Sequence, residues 1–333
     1  MDTDKILIID EFQKINRSTE REKREIDTAA FLAYQSRIEK HFLKGLLHLG
    51  MTDYVCTRSF RKEGFDIGKY SLIIVTEMNE NPLPFFKYLR RENPECHLIY
   101  QYWNPISTMN LRNKSVKDTL QNFLSSRDKY NFEVVSFDRG DCKKYNLIYG
   151  PQYIRSKINK KNQYLATTDI FFVGKDKNRL EFLCDVKNTC SRLGISFKMW
   201  IVPDDRHKIY QEEEKKYIVP TLIPYETIIE EDQKSKAIFD VTQKGQEGIT
   251  WRPIEALLLE RKLITTFTDI VHYDFYRKEN IFIWGQDDLN TLREFLDSPY
   301  LPVEREIMEQ YTFDGWLKNL YYQMGWDFGE ILE

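Results

Sequence analysis

The stretch Gly248-Ile249-Thr250-Trp251-Arg252-Pro253-Ile254-Glu255 gathers residue types that can hold a diphosphate: a turn glycine, a hydroxyl, a guanidinium and, three residues on, a carboxylate. It lies between two apolar runs, Ala237-Ile238-Phe239-Asp240-Val241 and Leu263-Ile264-Thr265-Thr266, so it reads as strand, loop, helix, strand. The helix begins near Trp251, with Pro253 in its first turn, where the missing amide hydrogen costs nothing. Its amino end aims amides and a partial positive charge at whatever sits past the strands, and Thr250 and Arg252 add donors. A second turn, Gly174-Lys175-Asp176-Lys177-Asn178-Arg179, follows the run Asp169-Ile170-Phe171-Phe172-Val173. A glycine followed by cations at a helix start suits a pyrophosphate, and Lys175 and Arg179 also read as a solvated helix start. Tyr225, after Leu222-Ile223-Pro224, meets a nucleobase or closes a capping loop.

Short strands alternating with helical stretches must position these groups. Lys5 to Ile9, Tyr54 to Cys56, Ser71 to Thr76, His97 to Tyr102 and Glu133 to Asp138 read as strands of a first half. A helix over Ala29 to Leu49 closes at Gly50, and others cover Pro84 to Leu89 and Val116 to Phe123. Ile154 to Asn162, rich in Lys and Asn, reads as a linker. The pattern then restarts with strands at Asp169 to Gly174, Ser196 to Val202, Lys236 to Val241, Leu263 to Thr266 and Asn280 to Trp284, and a helix over Arg179 to Leu193. This is an α/β chain of two Rossmann-like domains, each on a parallel sheet, with a cleft between them.

The strings Lys236 to Val241, Gly248 to Arg252, Glu255 to Leu257 and Lys262 to Thr266 together resemble the carboxy-terminal signature of bacterial GT-B glycosyltransferases of the capsule and lipopolysaccharide type. The resemblance implies an amino-terminal acceptor domain over 1–160, a donor domain over 161–302 and carboxy-terminal helices over 303–333 that cross back onto the first domain. It also implies that Gly248, Thr250 and Arg252 contact the donor diphosphate and that Glu255 holds the ribose. Glu247 and Glu255 have the spacing of the two-glutamate motif of retaining enzymes. The acceptor hydroxyl's proton needs a base if transfer inverts configuration, and Asp10, Glu11 and Glu77 stand at strand ends of the first half. Each also reads as a cap or surface charge. No Asp-x-Asp pair stands at a strand end, so cations and helix amides carry the charge, and neither metal nor cofactor is expected.

Composition bounds the reading. With 333 residues, 41% hydrophobic and 30% charged, the chain exceeds one ordinary core, so two domains are expected. A net charge of -3 leaves no cation surplus for nucleic acid. No apolar run reaches the roughly 18 residues of a membrane span. Acidic Asp2 and Asp4 argue against a secretory signal, and five scattered cysteines read as reduced thiols, so a cytoplasmic protein is expected. Arg17, Arg21, Lys23 and Arg24 offer a peripheral contact with the inner membrane face, although Glu20, Glu22 and Glu25 interleave with them. The partners expected are a nucleotide sugar and a glycan or lipid-linked acceptor. A sugar-nucleotide epimerase or hydrolase of the same fold, and a non-catalytic GT-B-like binding subunit, are the alternatives.

Overall fold

The computed structural model describes residues 5–10, 26–32, 36–79, 81–109, 113–155, 165–204, 209–219 and 223–326. Glu11, the 17–25 segment and most of the expected linker lie outside the described residues. The chain forms two compact units: Met1–Pro151 with Gly245–Gly248 and Trp316–Glu333, and Gln152–Lys244 with Ile249–Gly315. None of the described helices is long and apolar enough to cross a membrane. All five cysteines are free thiols.

The first unit is built on strands β1 (Ile6–Asp10), β2 (Ile26–Ala30), β3 (Leu72–Thr76), β4 (His97–Tyr102), β5 (Glu133–Ser136) and β6 (Ile148–Tyr149), in the order β2-β1-β3-β4-β5-β6. Every neighbouring pair is parallel. Strands β1 and β3 are buried along their whole length, as runs of Ile, Leu and Val must be when helices cover both faces. Phe85 and Phe86 of the helix Leu83–Glu92 meet Phe60, Tyr100, Phe123 and Phe132 in an aromatic core whose ring centroids lie 4.6 to 6.4 Å apart. The last long helix, Phe313–Met324, brings Trp316 into this unit, where its ring lies against Gly150.

Two expectations are corrected here. Tyr54 to Cys56 belong to the helix Thr52–Glu63, not to a strand. Thr52, Val55, Cys56, Ser59 and Phe60 are the buried positions, a spacing of three and four that only a helix gives. The strand beside β1 is instead Ile26-Asp27-Thr28-Ala29-Ala30, an edge strand too poor in large apolar residues to announce itself. The following helix is accordingly Arg37–His48, behind the cap Ser36, and just past its C-cap Leu49 the φ of 78° at Gly50 makes the left-handed turn expected there.

The second unit carries β7 (Thr168–Lys175), β8 (Phe197–Val202), β9 (Ser235–Asp240), β10 (Lys262–Thr265) and β11 (Ile281–Ile283), in the order β11-β10-β9-β7-β8, again all parallel. The helices Leu180–Arg192, Tyr225–Gln233 and Trp251–Leu259 connect them. Two α/β units on parallel sheets, with the final helix counted in the first, are the elements of a GT-B chain.

Candidate functional site

In both sheets the chain leaves its first strand to one side and later returns to the other. This creates a switch point between β1 and β3 in the first unit and between β7 and β9 in the second. Ligands of open parallel sheets bind beyond the strand carboxyl ends at such points. In the second unit Arg179 spans the switch point. Its Nε donates to the Lys175 carbonyl at 3.0 Å and its Nη1 to the Val241 carbonyl at 2.8 Å, so one guanidinium ties the ends of β7 and β9. Gly174 is what makes room for it, because a Cβ there would meet Arg179 Nη2 at 2.6 Å. The guanidinium also lies over the Phe172 ring, 5.1 Å from its centroid. Burial lowers the Arg179 pKa from its ordinary value, against the opposing charges of Asp240, Asp176 and Asp204. Lys175 is exposed beside it. Gly174, Lys175 and Arg179 therefore come together as the sequence predicts, but the glycine serves the arginine.

Asp240, at the end of β9, is a hub that sequence reasoning did not single out. Its carboxylate accepts Thr250 Oγ1 at 2.9 Å and Thr265 Oγ1 at 2.9 Å, joining β9, β10 and the start of the helix Trp251–Leu259. Burial pushes its carboxyl up, while the two hydroxyls and the charges of Arg179 and Arg252 oppose this. Thr250 caps the helix by accepting from Arg252 N at 3.3 Å. Its hydroxyl is thus occupied as donor and as acceptor. With position 253 a proline, the first turn offers one amide fewer, as the sequence reading already allows.

Two residues on, Arg252 is turned inward. Nη1 and Nη2 reach both oxygens of Asp232, at 2.9 and 2.5 Å, and Nη1 reaches Glu255 Oε2 at 2.6 Å. The Arg252 side chain is 12% exposed, and those of Asp232 and Glu255 0% and 3%. Burial alone would lower the Arg252 pKa, but the two carboxylates outweigh it and hold the guanidinium above its ordinary value. Burial pushes the Asp232 carboxyl up to about 6, against the attraction of Arg252. An arginine keeps its proton throughout this range, so a permanent cation faces both buried carboxyl side chains. Tyr225 stands beside it with a buried hydroxyl that meets no partner in hydrogen-bond geometry; burial, then the charge of Glu255, raises its pKa well above the ordinary value. The expected diphosphate contact Arg252 is thus already spent on carboxylates. Asp232 escaped sequence reasoning because it sits in Glu230-Glu231-Asp232, which reads as a solvated run of acids.

The remaining candidates belong to the first unit. Asp10, at the carboxyl end of β1, accepts Thr76 Oγ1 at 2.7 Å across the β1/β3 switch point. Glu77 Oε2 accepts Trp103 N at 3.0 Å and Asn104 N at 2.8 Å, which makes it the anchor of the turn after β4. Glu247 donates its amide to Asp138 Oδ2 at 2.7 Å, and its carboxylate lies over Gly140, where a Cβ would come within 2.8 Å. Gly248 packs against Phe137, whose carbonyl oxygen would lie 2.3 Å from a Cβ, so here the glycine permits a close approach of two backbones. The buried Asp141 joins this corner by accepting Ile106 N at 2.6 Å. Burial pushes its carboxyl up to about 6, with Asp138 and Glu247 adding to the shift.

No family model matches the chain, and no curated protein does. Among solved structures it is similar to a UDP-forming trehalose-phosphate synthase from Burkholderia xenovorans, at 9% identity and TM-score 0.48 over 88% of this chain and 80% of that one. It is also similar to a putative UDP-N-acetylglucosamine 2-epimerase from Listeria monocytogenes, at 10% identity and TM-score 0.44 over 98% and 99%. A third is the glycosyltransferase SnogD from Streptomyces nogalater, at 9% identity and TM-score 0.37 over 97% and 100%. At identities of a tenth or less and TM-scores below one half, these likenesses decide neither substrate nor mechanism.

Proposed function

We propose that the chain is a metal-independent glycosyltransferase that takes a sugar from a nucleotide-sugar donor and delivers it to a surface-polysaccharide or lipid-linked acceptor. The observation that carries this reading is the switch point of the second unit, where Arg179 bridges the ends of β7 and β9 beside the exposed Lys175. Cleavage of the bond between sugar and diphosphate leaves negative charge on the departing phosphate. Arg179 Nη2 and the Lys175 ammonium are the cations we assign to it, a fixed donor being worth about 3 kcal/mol. Arg252 is not among them: its role is to hold Glu255, the carboxylate we assign to the ribose. Asp10, already aligned by Thr76, is our choice of acceptor-side base if configuration inverts.

A second reading, a binding subunit without turnover, is favoured by the burial of Arg252 between two carboxylates, which removes one expected phosphate contact. Calorimetry with a panel of sugar nucleotides, followed by assay of nucleotide release with and without glycan acceptors, separates the readings. The transferase reading expects one donor to bind, Arg179→Ala to weaken that binding, and release to depend on acceptor. Binding without release supports the subunit. Epimer or free sugar formed without acceptor supports the epimerase or hydrolase. If no sugar nucleotide binds, the reading fails.

A further inference from the structure

We infer that filling the β7/β9 switch point with a nucleotide sugar draws a proton from solvent onto Asp240. This rests on the reading of that switch point as the donor site and adds a proton to its binding step. Asp240 is the last residue of β9 and is 3% exposed. The next carbonyl along the chain, that of Val241, is the one Arg179 holds. Few groups face the Asp240 carboxylate. Thr250, capping the helix Trp251–Leu259, and Thr265, ending β10, each donate a hydroxyl at 2.9 Å, and Thr242 Oγ1 stands 3.5 Å from Oδ2. The charges that favour its ionised form are Arg179 and, after it, Arg252. Lys175, the other cation of this strand end, is exposed.

The two arginines differ in what a ligand can take from Asp240. Arg252 is committed to Asp232 and Glu255 and stays so. Arg179 is the cation assigned to the diphosphate. A diphosphate there cancels the charge of Arg179 and adds its own, so a buried carboxylate loses its main counter-charge. An anion left in that position is costly, and taking up a proton removes the cost. Hydrogen bonding decides which acid takes it. The other acids around Arg179 are Asp176 and Asp204. Asp176 accepts the amides of Arg179 and Leu180 on Oδ1 and the Tyr210 hydroxyl on Oδ2, and Asp204 accepts the amide of Lys177. An N–H cannot turn round and accept. The side-chain partners of Asp240 are hydroxyls alone, and a hydroxyl accepts as well as donates. A proton on Oδ2 has its acceptor in Thr242 Oγ1, and Thr242 is only half-buried, so its own hydrogen can turn to water.

Isothermal calorimetry of the full chain with UDP-glucose, GDP-mannose and dTDP-glucose, each in two buffers of different ionisation enthalpy, tests this. The diphosphate of a nucleotide sugar does not titrate near neutrality, so a heat that depends on the buffer reports protons bound by the protein. The sign is definite: the donor raises the pKa of the Asp240 carboxyl, so uptake occurs between its free and bound values, and affinity falls as pH rises through them. We expect the wild type to take up a proton with the donor that binds, and its affinity to fall by up to about tenfold per pH unit. Asp240→Asn should bind the same donor without uptake and without this slope. Thr265→Val keeps the side chain's shape but removes a hydroxyl that favours the ionised carboxylate, so it should move the uptake to higher pH, and it serves even if the asparagine variant fails to fold. Uptake absent in the wild type, undiminished in Asp240→Asn or unmoved by Thr265→Val overturns the inference and leaves the donor reading standing. If none of the three nucleotide sugars binds, the donor reading fails and the inference with it.

Discussion

Replacing Arg252 by alanine tests the reasoning about the second unit most severely. The substitution would leave Asp232, wholly buried, and Glu255, nearly so, without the guanidinium that now touches three of their four oxygens. Removing one partner of a buried ion pair typically costs about 3–5 kcal/mol, because the charge left behind is neither solvated nor paired. Against a total stability on the order of 5–15 kcal/mol, that is a large fraction. For units of this size it corresponds to a fall in melting temperature of about 10 °C. The pH dependence has a definite sign. Burial already pushes the Asp232 carboxyl to about 6, above its ordinary value, so the folded state gains from protonating it and loses as pH rises. Without Arg252 the folded value rises further, so the deficit against wild type should be largest at alkaline pH and narrow toward about pH 5. Circular dichroism melts of both proteins across this range measure it. Equal melting at alkaline pH, or a gap that fails to narrow on acidification, would refute the account. Asp232→Asn/Arg252→Met/Glu255→Gln, which removes all the charges together, should recover much of the loss.

Arg179→Ala should weaken binding of the donor by at least about tenfold, and Gly174→Ala should imitate it, because the added methyl pushes the guanidinium aside; calorimetry measures both. Gly248→Ala forces a Cβ against the Phe137 carbonyl and should lower the melting temperature, whereas Gly245→Ala meets no atom and should suffer only from its positive φ; a pair of melts compares them. Asp141, pushed up to about 6 by burial, favours the protonated folded state, so wild-type stability should fall as pH rises through that value, and Asp141→Asn should remove this part of the fall in melts recorded from about pH 5 to about pH 8.

Much of the fold is legible in the sequence because buried parallel strands need unbroken aliphatic runs. Ile6 to Ile9, Leu72 to Val75 and Ile170 to Val173 announce themselves in this way, and Gly50 ends its helix for a reason visible in its residue type. The edge strand Ile26–Ala30 is covered less completely and needs no such run, so nothing in its composition marks it. In the site, residue type and spacing place Gly174, Lys175 and Arg179 at one strand end, where the fold holds them side by side. They do not reveal which way a side chain points: Arg252 has the sequence context of a ligand contact, but the partner that claims it is Asp232, twenty residues earlier on another helix. Distant pairing of this kind leaves no trace in local periodicity.

The chain passes between its two compact units at four places, after Pro151, Lys244, Gly248 and Gly315. Neither half is therefore a continuous piece of polypeptide that could be cut out whole. A fragment ending at Pro151 would lack Trp316, which is wholly buried against Gly150, and Glu247, whose amide occupies Asp138. It would emerge from synthesis with an open hydrophobic seam and an uncovered carboxylate. Ribosomal order thus puts the completion of the earlier half late: its sheet can assemble early, but the helix carrying Trp316 arrives only after the second unit has been made through Gly315.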